Sequence, residues 1–313
     1  MCLAVVCVLA ASNTASADIF GSGLNQFTID FVSISADTNP VVGYGIVNYD
    51  YHMATYEISN DQWTKFKAAY GAVKGSPSTA YDTNPIYVGA NMPVSMISWY
   101  EAAQFVNYLN TSTGHQAAYK FTGTQGTSSY TLAVWSAAEA DNGTNLYRNK
   151  DAKYFLPTED EWVKAAYWNG ADIKTYATKA GESVTQGDGI SGTGWNYYTT
   201  QYAAASHGPW AVGSGSQELN GTYDMMGNVW EWMENPSTIG DYETASYRGI
   251  RGGSYYLGTD YLTSSYRNTD IPYYEDGNVG FRIASTATPE PATLVLLGLG
   301  VMVLSTKSAK RKA

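Results

Sequence analysis

The chain of 313 residues is acidic, with 28 Asp and Glu against 18 Lys and Arg and a formal net charge of −10. This balance argues against binding to nucleic acid through phosphates, because such binding needs clustered basic side chains. The only cysteines, Cys2 and Cys7, lie at the N-terminal end. The rest of the chain therefore has no thiol for a disulfide, a metal site or a nucleophile.

The first 17 residues have the features of a secretory signal peptide. Residues 2–11 are apolar, and the small residues of TASA at 14–17 suit signal-peptidase cleavage before Asp18. A basic n-region is missing, which leaves the true start codon open. The alternative for this segment is a buried N-terminal strand. Cleavage before Asp18 would remove both cysteines from the mature protein.

Three helices are predicted by one N-terminal pattern, a Ser or Thr followed three residues later by Glu or Gln. The pairs are Ser59 with Gln62, Ser98 with Glu101, and Thr158 with Glu161. Apolar residues then recur at helical spacing. In the second helix they predict a buried face of Ala102, Phe105, Val106 and Leu109.

The remaining segments indicate strands and loops. Residues 25–35, NQFTIDFVSIS, alternate apolar and polar side chains, as a half-buried strand does. Shorter strand segments are predicted at 51–58 and 130–136. Residues 181–220 are rich in glycine and have little periodicity, which indicates a long irregular connection. We therefore predict one α+β domain over residues 18–287, with no internal repeat.

The C-terminal segment, residues 288–313, combines TPEP, the apolar run ATLVLLGLGVMVL and a basic end, KSAKRK. The apolar run is shorter than the roughly 20 residues of a typical transmembrane helix. This arrangement resembles the PEP-CTERM sorting signal of Gram-negative bacteria. The resemblance implies export, transient anchoring in the inner membrane, and recognition and removal of the tail by an exosortase-type enzyme. It also implies a final location at the cell surface or in the extracellular matrix. A permanent C-terminal membrane anchor is the alternative.

Six blocks carry a second resemblance, which covers nearly all of the predicted domain. They are YEISNDQW at 56–63, MPVSMISWYEAAQFVNYL at 92–109, FLPTEDEWVKAAYW at 155–168, YDMMGNVWEW at 223–232, IRGGSYYLG at 250–258 and NVGFRIA at 278–284. In this order they resemble the formylglycine-generating enzyme family, also called sulfatase-modifying factors. The resemblance implies a C-type-lectin-like α+β fold with three short helices and much irregular structure.

The same resemblance gives the chain a specific departure from the copper enzymes of that family. Their two copper-binding cysteines correspond to Leu257 and Leu262. Hydrocarbon side chains cannot replace the soft thiolates that select Cu(I). We therefore expect neither bound copper nor formylglycine-generating activity. The three histidines, His52, His115 and His207, share no metal-ligand spacing.

The resemblance also implies a structural calcium ion in YDMMGNVWEW. The matching ligands are the side chains of Asp224 and Glu231 and the carbonyls of Gly227 and Val229. Calcium accepts such mixed carboxylate and carbonyl oxygens. The alternative is a buried turn without metal. A second calcium site, with Asn196 and the Tyr197 carbonyl, lacks its expected acid.

Charged residues in the other blocks have structural explanations. We expect Arg248, Arg251, Arg267 and Arg282 to be buried and to bind loop carbonyls and carboxylates through their forked guanidinium groups. Three acids, Glu159, Asp160 and Glu161, lie at a helix N-terminus. The helix dipole favours acids at that position, and we prefer this explanation to an acid–base catalytic pair.

The stretch after Arg251 is the predicted contact surface. Its candidate ligand-binding residues are Ser254, Tyr255, Tyr256, Asp260, Tyr261, Tyr266 and Asn268. Tyrosine supplies rigid contact area at small entropic cost. The favoured hypothesis is a non-catalytic exported binding or matrix protein, with extracellular polysaccharide as a partner. The alternatives are a divergent metal-dependent oxidoreductase of the same family and a hypervariable display protein.

Overall fold

Short helices and strands are joined by long connections in the computed structural model, which describes residues 16–198 and 208–287. Most of the predicted signal peptide, both cysteines, His207 and the sorting tail lie outside the described residues. The helices are α1 (Asn60–Tyr70), α2 (Trp99–Ser112) and α3 (Glu159–Tyr167). The mixture of three helices with several small sheets confirms the predicted α+β class.

All three predicted helix starts are confirmed. Ser59, Ser98 and Thr158 are the N-caps, and each forms a complete capping box with the predicted Gln or Glu. The box satisfies backbone N–H groups that have no partner within the helix. Helix α1 ends at Tyr70, and its C-cap is Gly71, whose φ of 92° suits glycine.

Helix α2 is buried more completely than its sequence pattern predicts. Every residue from Trp99 to Asn110 is buried, and not only the predicted apolar face. Its polar side chains form hydrogen bonds with backbone groups of neighbouring loops. Asn107 exchanges two hydrogen bonds with the backbone of Tyr119, and Asn110 bonds to the backbone of Lys153 and Tyr154. Amide groups that are paired in this way are tolerated inside a protein.

A five-stranded sheet, in the order β1-β2-β3-β13-β8, forms one side of the fold. It contains β1 (Ser16–Phe20), β2 (Phe27–Ile34), β3 (Tyr51–Ala54), β8 (Tyr154–Phe155) and β13 (Ala284–Thr286). All its pairs are antiparallel. The prediction of a half-buried strand at 25–35 is confirmed by β2. Strand β1 begins two residues before the predicted mature start, Asp18.

A second sheet of four strands carries the C-terminal blocks, in the order β11-β10-β9-β12. Its strands are β9 (Trp230–Pro236), β10 (Arg248–Arg251), β11 (Asn268–Asp270) and β12 (Val279–Gly280). Two small hairpins complete the structure, formed by β4 (Lys120–Thr122) with β5 (Thr131–Ala133) and by β6 (Ala140–Asp141) with β7 (Asn145–Asn149). The described part of 181–220 contains no helix or strand, as predicted.

Aromatic side chains fill the core between these elements. Trp63, Phe66 and Phe105 contact one another with ring centroids 4.9–5.9 Å apart. Such contacts contribute beyond simple area burial. The core therefore offers a physical basis for a stable fold without disulfides.

Buried guanidinium groups tie the core to the loops, and we call the following pairs the arginine frame. Arg148 binds Glu161 and Glu234, Arg251 and Arg267 bind Glu159, and Arg282 binds Glu231. Arg248 instead lies over the rings of Trp99 and Tyr147. The predicted structural role of the C-terminal arginines is confirmed, although Arg267 is only partly buried.

The frame corrects our interpretation of the acids at the start of α3. Glu159 and Glu161 are fully buried in ion pairs, so the helix dipole alone does not account for them. Burial by itself would raise the pKa of Glu161, but the charge and hydrogen bonds of Arg148 outweigh it and lower that pKa. Arg148 was missed because it lies outside every recognised block.

The described residues include no helix with the length and apolar character needed to cross a membrane. The apolar run at 292–304 falls outside that part of the chain.

Candidate functional site

A two-glycine turn after β10 positions the predicted contact stretch. Gly252 and Gly253 have φ values of 98° and 78°, which L side chains rarely adopt. A Cβ atom on Gly253 would lie 2.8 Å from Leu262. Behind the turn, the Tyr255 N–H donates to the Asn228 carbonyl at 2.8 Å, and the Leu257 carbonyl accepts from Tyr198 at 2.8 Å. The stretch is thus held against the YDMMGNVWEW block.

Leu257 and Leu262, which the family resemblance matches with the copper-binding cysteines, have apolar or backbone surroundings. Leu262 ends a short 3-10 helix, Thr259–Leu262, and is fully buried in the core. Its carbonyl accepts a hydrogen bond from the Tyr167 hydroxyl at 2.9 Å. Leu257 is partly buried and packs against the core cluster that contains Trp63 and Phe105. Neither side chain offers a donor atom to a metal.

The structure divides the seven candidate ligand-binding residues into three groups. Ser254 and Tyr255 are buried, Tyr261 and Tyr266 are partly buried, and Tyr256, Asp260 and Asn268 are exposed. Tyr261 packs on Tyr266 with ring centroids 4.6 Å apart, and Tyr266 packs on Trp230. The inward placement of Ser254 corrects its assignment to the contact surface, because the glycine turn directs it into the core. Its hydroxyl has no hydrogen-bond partner among the described residues.

Residues from two other segments, around Tyr87 and around Tyr274, complete the exposed surface. The hydroxyls of Tyr87 and Tyr255 are 2.8 Å apart, and the Tyr274 hydroxyl donates to Asp276 at 3.0 Å. Burial and the Tyr87 hydrogen bond raise the pKa of Tyr255. We define the tyrosine surface as Ile86, Tyr87, Tyr255, Tyr256, Tyr274 and Asp276.

Within this surface, Tyr256 presents the most exposed ring, at 59%. Ile86 and Tyr274 are also exposed, whereas Tyr255 contributes only its edge beside Tyr87. Aromatic faces beside hydroxyl and carboxylate groups offer both stacking and hydrogen bonds to a polar ligand.

The predicted calcium block forms a tight buried turn. Asp224, Gly227 and Asn228 all have positive φ values. A Cβ atom on Gly227 would lie 2.1 Å from the Asn196 carbonyl oxygen, so only glycine fits. Asp224 accepts the Gly213 N–H at 2.7 Å. Glu231 accepts two hydrogen bonds from Arg282 and one from Trp162, each at 2.7 Å.

Two further buried carboxyl groups, missed by sequence analysis, lie near this block. Glu57 accepts from the Asn228 side chain at 2.6 Å and from the Val229 N–H at 3.2 Å. Glu218 accepts the N–H groups of Met225 and Met226. Glu57 belongs to the block at 56–63 and Glu218 lies between two blocks, so only the tertiary fold brings them together.

Burial raises the pKa of Glu218 to about 8 and that of Asp224 to about 6, and it raises the pKa of Glu57 well above its usual value. Arg282 is the cation that acts on Glu57, Glu218 and Asp224, and it also forms the ion pair with Glu231. Buried charges without partners are costly. Protons or a bound cation would therefore stabilise this region.

The candidate metal donors fit calcium only in part. The Asn196 side-chain oxygen is buried and has no hydrogen-bond partner among the described residues, as expected for a donor held ready for a cation. In contrast, any cation at Glu231 would have to share that carboxylate with Arg282. Within residues 16–198 and 208–287, no three His, Cys, Asp or Glu side chains form a metal-binding group.

The two described histidines lie on separate elements. His52 in β3 contacts the Ser16 hydroxyl, and His115 contacts the Thr113 hydroxyl after α2. His207 is outside the described residues. The structure therefore brings no histidine to the tyrosine surface or to the acids beside Arg282 among the contacts it describes.

Comparisons with known proteins give the family. Residues 26–287 match the sulfatase-modifying factor enzyme 1-like domain, and residues 287–312 match the PEP-CTERM protein-sorting motif. The chain belongs to the sulfatase-modifying factor enzyme 1-like family. Its sorting motif indicates an exported protein that an exosortase-type enzyme processes at the membrane.

Among curated proteins, the chain is 25% identical over 210 residues to chaperone protein LppX of Paenibacillus barcinonensis, covering 60% of this chain and 65% of that protein. It is 29% identical over 158 residues to hercynine oxygenase of Mycolicibacterium thermoresistibile, covering 44% of this chain and 34% of that enzyme. The matches thus span less than two thirds of either relative.

Among solved structures, Treponema denticola variable protein 1 is similar, with a TM-score of 0.58 and 19% identity. The match covers 88% of this chain and 100% of that protein. This likeness confirms the predicted fold and carries no functional assignment.

Proposed function

We propose that this protein is a non-catalytic exported binding module whose tyrosine surface contacts extracellular polysaccharide. The observation that carries the proposal is Leu262, which fills the core where the copper enzymes of the family are expected to have a cysteine. The chain keeps the fold and the glycine turn of that region. It has no thiolate there, because both of its cysteines lie in the predicted signal peptide.

Polysaccharide suits the chemistry of the tyrosine surface. Aromatic rings stack on the apolar faces of sugar rings, and the hydroxyls of Tyr87, Tyr255 and Tyr274 with the Asp276 carboxylate can bond to sugar hydroxyls. Export places the domain where such polymers occur. Attachment to an extracellular polymer would also keep the protein at the cell surface or in the matrix after its tail is removed.

Binding of purified protein to the producer's own exopolysaccharide tests this proposal, with a glycan array as a second probe. Tyr256→Ala and Tyr274→Ala should each weaken binding. Tyr247→Ala is the matched control, because Tyr247 is similarly exposed but lies outside the tyrosine surface. The proposal would be overturned if no binding is detected with binding sites at millimolar concentration. It would also be overturned if all three variants lose the same amount of affinity.

We also propose a structural calcium ion bound by Asp224, Glu231 and the carbonyls of Gly227 and Val229. The support is the excess of buried carboxyl groups over Arg282 and the unpaired Asn196 oxygen. Calcium should raise the unfolding temperature relative to chelator by roughly 5 °C. Asp224→Asn should reduce the shift, whereas Asp61→Asn should retain it. An unfolding temperature that is the same with calcium and with chelator would contradict the site.

A divergent metal-dependent oxidoreductase is the second candidate, favoured by the likeness to hercynine oxygenase over part of the chain. Copper or iron at one equivalent per chain would support it. A hypervariable display protein is the third candidate. The observation that favours it is the tyrosine- and serine-rich stretch on an exposed side of the fold. A near-identical template repeat and a reverse transcriptase beside the gene would support that reading.

A further inference from the structure

An exposed apolar loop precedes β3 and lies outside the tyrosine surface. Its sequence is VVGYGIVNY, and we call it the 41–49 loop. Val41 is 94% exposed and Val42 is 79% exposed, and Tyr44, Ile46 and Tyr49 are exposed as well. Single exposed apolar residues are common, but five within nine residues form the kind of patch that marks a contact site.

Helix α3 holds the base of this loop in place. Asp160 accepts the Gly45 N–H at 2.9 Å, Lys164 donates to the Val47 carbonyl at 2.9 Å, and the Tyr49 hydroxyl donates to Glu161 at 2.6 Å. Val47 itself points into the core. The exposed tip at Val41 and Val42 is therefore presented from a fixed base, at little further entropic cost on binding.

The loop and the C-terminal exit of the domain lie at the same end of the five-stranded sheet. Strand β13 is antiparallel to β3, and Thr286 is paired with Tyr51. The chain thus leaves β13 where the 41–49 loop enters β3, about 5 Å away across the sheet. Tyr49 and Ala287 also line one cavity of about 240 Å³.

Insertion of the sorting tail into the membrane would tether this end of the domain. The sorting motif occupies residues 287–312, and the apolar run begins at Ala292. Four residues lie between Ala287 and Ala292, and the five Cα–Cα steps across them span at most about 18 Å. With the apolar run inserted, the end of the domain that carries the loop is kept beside the lipid surface.

We propose that the 41–49 loop inserts Val41 and Val42 into the periplasmic leaflet of the inner membrane while the sorting tail is attached. The proposal rests on membrane insertion of the tail before processing. Tyr44 suits the interface, where an aromatic ring meets lipid and its hydroxyl meets water, whereas the Tyr49 hydroxyl is held inside by Glu161. Asp37 and Asp50 flank the loop, so anionic lipids would limit insertion to the aliphatic tip.

This contact would orient the domain during processing. Two attachment points, the tail and the loop, fix the Pro-Glu-Pro segment at the membrane surface, where an exosortase-type enzyme acts. After removal of the tail, two valines are too small an apolar anchor to retain the domain. The same loop would therefore assist processing without preventing release.

A lipid-quenching experiment tests the contact in the chain that lacks residues 1–17 and keeps the sorting tail. That chain has no native cysteine, so Val42→Cys can be labelled alone with an environment-sensitive fluorophore and reconstituted in phosphatidylethanolamine and phosphatidylglycerol vesicles. Spin-labelled lipid is then added as the quencher. Val88→Cys is the matched control, because Val88 is 88% exposed and lies outside the loop.

The expected result is several-fold stronger quenching at position 42 than at position 88. Equal or absent quenching at position 42, in chains that float with the vesicles, would overturn the loop contact and leave tail insertion intact. Chains that fail to float would refute tail insertion, and the loop proposal with it. Protection of the probe only when an exosortase-type enzyme is present would replace lipid by a protein partner.

Discussion

The glycine turn joins the arginine frame to the tyrosine surface, yet the two regions use their polar groups in opposite ways. In the frame, Glu159 and Glu161 are buried and paired with guanidinium groups at 2.7–2.9 Å. On the tyrosine surface, Tyr256 and Tyr274 are exposed and contribute little to the core. The difference separates groups that hold the fold from groups that are available to a ligand.

Breaking the frame at Arg148 should give the largest effect. Arg148→Met leaves Glu161 and Glu234 buried without their partner, which should cost about 3–5 kcal/mol of unfolding free energy. Denaturant unfolding measures the loss. Lys65→Met is the control, because its pair with Asp61 is exposed and should contribute less than about 1 kcal/mol. Similar losses in both variants would contradict a structural frame.

The glycine turn between the two regions should give the next largest effect. Gly252→Ala places a Cβ at a φ of 98° and 3.0 Å from the Met225 carbonyl oxygen. We expect a loss of about 1–3 kcal/mol in unfolding free energy. Gly258→Ala should be neutral or slightly stabilising, because its φ is −74° and no atom lies within 4 Å of the new Cβ. A neutral Gly252→Ala would argue against a strained turn.

A buried acid outside the frame should respond to pH in the opposite direction from Glu161. Burial raises the pKa of Glu101 well above its usual value, and Glu275 raises it further. The folded state therefore holds a proton that the unfolded state loses, and stability falls as pH rises above about 4.5. Glu101→Gln should flatten that decline and keep the hydrogen bond from the Ser98 N–H.

Denaturant unfolding between pH 5 and 8 measures the change for Glu101→Gln, with a gain on the order of 1 kcal/mol at the upper end. Glu139→Gln is the control, since hydrogen bonds from Ser136 lower the pKa of Glu139 and leave no decline to remove in this range. A wild-type pH profile in Glu101→Gln would contradict the protonated state.

The smallest stability effect is expected on the tyrosine surface. Tyr256→Ala should change the unfolding free energy by no more than about 0.5 kcal/mol. Binding to polysaccharide should fall by about tenfold, since loss of a stacked ring commonly costs about 1–2 kcal/mol. Paired unfolding and binding measurements separate the two effects. A large loss of unfolding free energy would show that Tyr256 holds the fold and is not simply a surface contact.

Much of the fold could be predicted because local rules determine it. The three capping boxes and the alternation in β2 depend on residues close in sequence, and all are confirmed. The complete burial of α2 was not predicted, because it depends on loops that cover its polar side. Asn107 and Asn110 read as exposed polar positions until their backbone partners are known.

The candidate site was less predictable than the fold. Leu257 and Leu262 could be placed through the family resemblance, but the inward turn of Ser254 depends on Gly252 and Gly253 acting together. Tyr87 and Glu57 come from distant segments and reach their partners only through the tertiary fold. Arg148 lies outside every recognised block, and its acids Glu161 and Glu234 lie on other elements, so the sequence offered no sign of this pairing.

Elemental analysis of the purified mature protein tests the central claim most directly. A binding module without copper chemistry should contain neither copper nor iron at one equivalent per chain, and calcium is the metal we expect to find. Copper or iron at one equivalent, retained through purification and lost together with an oxidative activity, would contradict the account and return the protein to the metal-dependent enzymes of its family.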